Sequence, residues 1–119
     1  MKQISYVFLL LLITGCGVPE AFLKSGNPNI SAVKINLPTV QCNACQQTIT
    51  QGLKELEGVQ TAYVNLNEEK VLVKYDKTRV TMDDLKQTIV KLGYQAGDVP
   101  ADDEAYNNLP GCCKLPEDR

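Results

Sequence analysis

The stretch Gln41-Cys42-Asn43-Ala44-Cys45 stands where a strand-like run of sequence gives way to a helix-like run. At the start of a helix, the two sulfur atoms of such a Cys-x-x-Cys motif can converge on one small target. That target is either a soft metal ion or, after oxidation, the other sulfur atom. The sequence on both sides of the motif therefore decides both the fold and the chemistry.

The residues around the motif predict a strand followed by a helix. Residues 30–37 alternate apolar and polar side chains, which is typical of a strand with one buried face, and Pro38 ends the run. Asn43 is expected to cap the helix, with Gln46 as its capping-box partner, and Gly58 is expected to end it. Apolar residues recur at helical spacing and predict a stripe that faces the core: Ile49, Leu53 and Leu56.

The next part of the chain completes a repeating pattern of strands and helices. Alternating apolar residues in 62–66 and 71–75 predict a β-hairpin. Thr81 is expected to cap a second amphipathic helix, and residues 94–99 to form a short last strand. The order over residues 30–99 is βαββαβ, which predicts an α+β fold of the ferredoxin-like type. Its four-stranded antiparallel sheet would carry both helices on one face.

The beginning of the chain has the pattern of a bacterial lipoprotein signal. Residues 6–13 form an apolar run, which is shorter than the roughly 20 residues that span a bilayer. Residues 13–16 (Ile-Thr-Gly-Cys) resemble the lipobox, in which the cysteine is acylated after cleavage. We therefore expect removal of residues 1–15, lipidation of Cys16, and a tether over residues 16–29. This pattern predicts an extracytoplasmic protein held at a membrane, on the periplasmic or cell-surface side; an ordinary secretion signal is the alternative.

Composition excludes several classes of function. Twelve Lys plus Arg stand against fourteen Asp plus Glu, for a formal net charge of −2, so no nucleic-acid partner is expected. The chain has no histidine and therefore no imidazole base, and no other acid–base or nucleophile arrangement is visible, so we do not expect an enzyme. Without histidine, a transition-metal site has to rest mainly on thiolates.

A Cys-x-x-Cys motif at this point of a βαββαβ unit resembles the heavy-metal-associated domain family. That family includes copper chaperones, N-terminal domains of metal-transporting ATPases and periplasmic mercuric-ion binding proteins. The resemblance is carried by residues 38–45 (Pro-Thr-Val-Gln-Cys-Asn-Ala-Cys) and by Leu92-Gly93-Tyr94, since bacterial members often place a tyrosine beside the metal loop. The chain departs from the family at Val40, where a methionine is usual.

The resemblance implies a metal carrier rather than a catalyst. Cys42 and Cys45 would bind a soft ion, with Cu(I) as first choice and Hg(II) or Zn(II) as alternatives, and Tyr94 would lie beside them. The ion would pass to a membrane transporter or to another metal-binding protein. Cys45 falls in the first helical turn, so we expect the helix dipole to stabilise its thiolate, with Cys42 more exposed in the preceding loop. A membrane-anchored thiol–disulfide oxidoreductase and a structural disulfide remain alternatives.

Residues 100–119 are predicted to be a flexible tail that carries the adjacent thiols Cys112 and Cys113. In the predicted topology the last strand runs away from the metal loop, so the tail would leave from the opposite end. Residues 100–111 would span about 19 Å as a flexible coil. Fully extended they would reach roughly 40 Å. The two thiols can therefore return to complete a three- or four-thiolate site, form a second soft-metal site, or oxidise together.

Overall fold

The computed structural model of the protein describes residues 27–119. The predicted signal, residues 1–15, and the predicted lipidation site, Cys16, lie outside the described residues. None of the helices in the described part is long and apolar enough to cross a bilayer. In chain order the elements are β1 (Ile30–Asn36), α1 (Asn43–Lys54), β2 (Val59–Asn65), β3 (Lys70–Asp76), α2 (Met82–Lys91), α3 (Asp103–Asn107) and 3₁₀ turns at Gly111–Cys113 and Pro116–Asp118.

The strands form an antiparallel sheet in the order β1-β3-β2, with β3 in the centre. Because alternate residues of a strand point to opposite faces, the register places apolar side chains in rows across one face. One such row joins Ile35, Val71 and Val64. Residues of both long helices belong to the same buried core: Ile49 and Leu53 of α1, and Leu85 and Ile89 of α2. The predicted α+β arrangement of two helices on a sheet is confirmed.

The start of α2 follows the sequence prediction. Thr81 is the N-cap: its hydroxyl accepts a hydrogen bond from the backbone N–H of Asp84 at 3.1 Å. The Asp84 carboxylate accepts in return from the backbone N–H of Thr81 at 2.9 Å. This reciprocal capping box satisfies two of the N–H groups that a helix start leaves without partners.

The predicted fourth strand is not formed: within the described residues the sheet has three strands. Residues 94–99 instead make a tight turn, in which Ala96 and Val99 exchange backbone hydrogen bonds of 3.0 Å in both directions. Gly97 lies inside this turn at φ +60°, a conformation that favours glycine. Its N–H donates to the Asn36 carbonyl at 2.7 Å, which ties the turn to the end of β1. The backbone N–H and carbonyl groups of Ala96 and Val99 are therefore engaged within the turn and do not extend a fourth strand along β1.

The same turn decides where the tail goes. A fourth strand would carry the chain to the far end of the sheet, whereas the turn leaves it at the end where β1 meets α1. From there the backbone N–H of Asp102 donates to the Val90 carbonyl of α2 at 3.1 Å, and α3 begins. The predicted flexible tail therefore carries a helix and two 3₁₀ turns, and Leu109 packs against the core.

Candidate metal site

The loop that carries the motif is supported from below. The Val40 N–H donates to the Leu37 carbonyl at 3.1 Å, which closes a turn after β1. Val40, at the position where a methionine is usual in the family, is buried and belongs to the core. The Thr39 hydroxyl accepts from the backbone N–H of Gln95 at 3.1 Å, which joins this loop to the segment after α2. An apolar side chain under the loop is thus retained, with valine in place of methionine.

The start of α1 differs from the prediction by one residue. Cys42, not Asn43, is the N-cap, with an extended backbone at φ −146° and ψ 176°. The predicted capping box is absent from this helix start, since the Gln46 side chain donates instead to the Val64 carbonyl of β2 at 3.0 Å. The Cys42 sulfur therefore occupies the place that a capping oxygen takes in other helices.

This position lowers the pKa of the Cys42 thiol. The backbone N–H of Cys45 lowers the pKa of Cys42 to about 7, with further lowering by the Cys45 and Cys112 thiols and the Ala44 N–H, against an opposing effect of burial. The lowered pKa of Cys42 is a finding of the structure, since from the sequence alone the stabilised thiolate is expected at Cys45. The physical cause is the one expected, namely the unpaired N–H groups and dipole of a helix start.

Four reduced thiols converge at this point. The Cys42 sulfur lies 3.4 Å from the Cys45 sulfur, 3.5 Å from that of Cys112 and 3.8 Å from that of Cys113. The sulfur atoms of Cys112 and Cys113 are 4.0 Å apart. All four are free cysteines. Cys42, Cys112 and Cys113 form a group whose ligand atoms all lie within 4.8 Å of one another.

The four thiols differ in their access to solvent. Cys45 is 0% exposed and Cys113 is 1% exposed, whereas Cys42 is partly buried and Cys112 is exposed. Burial, with a contribution from the neighbouring Cys45 thiol, raises the pKa of Cys113 well above its ordinary value. An approaching ion or thiol therefore meets Cys112 and Cys42 before the two buried sulfur atoms.

Tyr94 lies beside the buried thiols, where the resemblance places it. The residue is 0% exposed, and its hydroxyl is buried without a hydrogen-bond partner among the described residues. Burial and the neighbouring thiols of Cys113 and Cys45 raise the pKa of Tyr94. The hydroxyl therefore remains protonated and is available as a donor to a deprotonated sulfur.

The residues that fix the tail over the motif could not be identified from the sequence. The Tyr106 hydroxyl donates to the Asp118 carboxylate at 2.7 Å and accepts from the Leu115 N–H at 2.8 Å. The Arg119 guanidinium donates to the Cys112 carbonyl at 3.3 Å and to the Lys114 carbonyl at 3.1 Å. In the sequence, the one indication of these contacts is the aromatic side chain of Tyr106 in the predicted tail.

A small α+β domain with a Cys-x-x-Cys motif at a helix start defines a class of soft-metal-binding domains. The sequence profile of the heavy-metal-associated domain matches residues 34–95, from β1 to just beyond Tyr94. The match covers slightly more than half of the chain, and the chain belongs to the heavy-metal-associated domain family. The tail that carries Cys112 and Cys113 lies beyond the matched residues.

Two sequence relatives and one solved structure are described as copper proteins. The copper chaperone CopZ of Staphylococcus haemolyticus is 35% identical over 60 residues, which span 50% of this chain and 88% of that protein. A copper-exporting P-type ATPase of Staphylococcus epidermidis is 34% identical over 67 residues, 56% of this chain and 8% of that protein. The N-terminal domain of a potential copper-translocating P-type ATPase from Bacillus subtilis, solved in its Cu(I)-loaded state, superposes with a TM-score of 0.56 at 32% identity. That alignment covers 57% of this chain and 85% of the other. The chain is thus a copper-chaperone-like metal-binding domain.

Proposed function

We propose that this protein binds Cu(I) through Cys42 and Cys45 and passes it to another copper-binding protein. The observation that carries the proposal is the pair of reduced sulfur atoms 3.4 Å apart at the start of α1, one of them with a pKa of about 7. A thiolate is the form that binds a metal, and soft thiolates favour Cu(I). The kinship with copper chaperones supports the same ion.

Transfer proceeds by exchange of ligands, one thiolate at a time. The partly exposed Cys42 is the first of the pair that an incoming thiolate of the acceptor reaches, and the buried Cys45 is released last. No general acid or base residue is required, since an incoming thiol gives its proton to water and a departing thiolate can take one up. A copper-exporting P-type ATPase among the relatives supports a membrane transporter as the acceptor.

We infer the setting of this transfer from the pattern of the N-terminal sequence. In this proposal residues 1–15 are removed, Cys16 is lipidated, and the domain works outside the cytoplasm at a membrane surface. Labelling of cells with a clickable palmitate analogue should mark the protein, and Cys16→Ser should abolish both the label and membrane fractionation. Unchanged fractionation of Cys16→Ser would contradict the anchor without affecting the metal site.

The binding proposal is tested by anaerobic titration of the reduced protein with Cu(I) in competition with the chelator bathocuproine disulfonate. We expect one tightly bound Cu(I), with affinity lowered at least about tenfold in Cys42→Ser and in Cys45→Ser, since even loss of a residue that supports a metal ligand has an effect of this size. Ala44→Ser, between the two cysteines, is the matched control and should bind like the wild type. Parallel titrations with Hg(II) and Zn(II) show whether another ion is preferred, and such a preference would correct the assignment of Cu(I).

One observation favours a second function. A pKa of about 7 for Cys42 lies in the range of redox-active Cys-x-x-Cys motifs, so a membrane-anchored thiol–disulfide oxidoreductase is the rival. Turnover in an insulin-reduction assay, together with weak Cu(I) binding, would favour the rival. Tight Cu(I) binding without insulin reduction supports the carrier.

A further inference from the structure

The C-terminal tail brings two further thiols to the motif, although the family match ends before it. The 3₁₀ turn Gly111–Cys113 packs against the start of α1 and places Cys112 and Cys113 within 3.5 and 3.8 Å of the Cys42 sulfur. Cys113 is 1% exposed in this position. In the described residues the motif is therefore covered by the chain's own C-terminal segment.

The distances between the sulfur atoms suit a site with more than two ligands. With metal–sulfur bonds of about 2.3 Å, two sulfur atoms lie about 4.6 Å apart in a linear site, about 4.0 Å in a trigonal one and about 3.8 Å in a tetrahedral one. The separations of 3.5, 3.8 and 4.0 Å among Cys42, Cys112 and Cys113 approach the trigonal and tetrahedral values. Cys45 adds a fourth sulfur atom at 3.4 Å from Cys42, so the two sulfur atoms have to move apart by about 1.2 Å to hold an ion as a linear pair.

The tail is held in this place by contacts that do not involve the thiols. The Asp102 carboxylate caps α3 by accepting from the Ala105 N–H at 2.9 Å, and α3 lies directly against Gly93. The Tyr106 hydroxyl and the Arg119 guanidinium then close the last residues into a loop around the 3₁₀ turn. The position of the two tail thiols thus follows from the packing of the whole segment.

The buried hydroxyl of Tyr94 is a second, independent observation that points to a bound ion. An unpartnered buried hydroxyl costs stability, and here its neighbours are the Cys45 and Cys113 thiols. Once a metal ion displaces the proton of either thiol, the sulfur becomes a strong acceptor for the tyrosine O–H. Metal loading would thus give the Tyr94 hydroxyl the hydrogen-bond partner that it lacks here.

We propose that Cys112 and Cys113 join Cys42 to hold Cu(I) in a closed three-thiolate site, and that the Cys42–Cys45 pair is the open form from which the ion is passed on. This inference rests on the proposed function and adds that the tail thiols limit the release of Cu(I). No oxidant or reductant is needed: each protonated thiol that binds gives its proton to water, and the ion keeps its charge. Release then requires the tail thiols to leave before an acceptor takes the ion.

The test uses the purified full chain, reduced and loaded with one equivalent of Cu(I). X-ray absorption spectroscopy should count three sulfur ligands in the wild type and two in Cys112→Ser/Cys113→Ser. Transfer to excess bathocuproine disulfonate should be at least about tenfold faster in the double variant, since two ligands are lost. Lys114→Ser, in the same segment, is the matched control and should behave like the wild type.

The single variant Cys112→Ser, at an exposed position, keeps the test valid if the double variant folds poorly. It should also show a lower sulfur count and faster transfer. Two sulfur ligands in the wild type, with transfer unchanged in both tail variants, would overturn this inference and leave the proposed function standing. Failure of the wild type to bind Cu(I) would overturn both.

Discussion

Cys42 occupies the position that serine, threonine, asparagine or aspartate usually fills at a helix start. A hydroxyl or carboxylate there serves only to satisfy backbone N–H groups. A sulfur atom in the same position gains a stabilised negative charge and keeps lone pairs for a metal ion. Cys42 is thus both the N-cap residue and a candidate ligand, and the N–H groups of the helix start, above all that of Cys45, lower its pKa.

The first prediction concerns the pH dependence of Cys42. Alkylation of the apoprotein by iodoacetamide, followed by mass spectrometry, should show Cys42 reacting with a midpoint near pH 7, because only the thiolate reacts. Below this pH Cu(I) must also displace the proton of Cys42, so the apparent affinity should fall more steeply as the pH decreases through 7. In denaturant the midpoint should return to about 8.5. A midpoint at the free-cysteine value in the folded protein would contradict the assignment.

The second prediction concerns Tyr94→Phe. Removal of the unpartnered hydroxyl should leave the apoprotein as stable or up to about 1 kcal/mol more stable, since an unsatisfied buried polar group is costly. The same change should lower Cu(I) affinity, because the thiolate loses its donor. Chemical denaturation of the apo and loaded proteins measures both effects. An equal effect on both forms would show that Tyr94 acts only through packing.

At the scale of elements, Gly93 joins α2 to the tail. It has φ +100°, and a Cβ atom there would lie 2.9 Å from the Ala105 carbonyl oxygen of α3. Both the backbone conformation and the close approach of α3 require glycine at this position. In the sequence Gly93 is recognisable as part of a family motif, and in the structure it is also the residue against which α3 of the tail packs.

The third prediction follows from that contact. Gly93→Ala should destabilise the protein by about 1–3 kcal/mol, from the unfavourable backbone conformation and the displaced α3. It should also make Cys113 reactive towards a bulky maleimide, because the segment that carries Cys113 no longer packs against the start of α1. Gly111→Ala is the matched control, since a Cβ there meets nothing within 4 Å. Thermal unfolding and labelling rates measure the two effects, and a Cys113 as protected as in the wild type would contradict the predicted release.

At the scale of the whole molecule, the fourth prediction concerns copper loading and the tail. If Cys112 and Cys113 bind the ion, loading links residues 100–119 to the motif, and backbone amides there should exchange with deuterium at least about tenfold more slowly. Exchange in β3 should change little, because it lies in the centre of the sheet. Cys112→Ser/Cys113→Ser should remove the protection in the tail. Protection that persists in this variant would point to packing alone.

The sequence was sufficient for the parts of the fold that local patterns determine. Alternation and helical spacing predicted three strands and two helices, and the Thr81 cap followed from a local rule. A short last strand was also predicted, over residues 94–99. The strand does not form because the chain reverses at Gly97 and Asp98. The alternation of apolar and polar side chains does not show whether two such residues continue a strand or form a turn.

The site was predicted to the same extent. Cys42, Cys45 and Tyr94 were found from their spacing and their resemblance to a family, and the structure brings them together. The place of Cys112 and Cys113 was left open, because it depends on contacts between residues far apart in the chain. Once the reversal at 94–99 is known, the return of the tail follows from it.

If the protein passes Cu(I) on in the way proposed, the segment that lies over the motif also affects the rate of transfer. The acceptor can reach the ion only after the tail of the donor has moved away. When this opening is the slowest step, a higher concentration of acceptor does not raise the transfer rate. The transfer rate then reaches a maximum, which equals the rate at which the tail of the donor opens. A cell that made more of the acceptor would therefore not speed up the transfer of copper from this protein. Substitutions in residues 100–119 would, because they change the rate of opening.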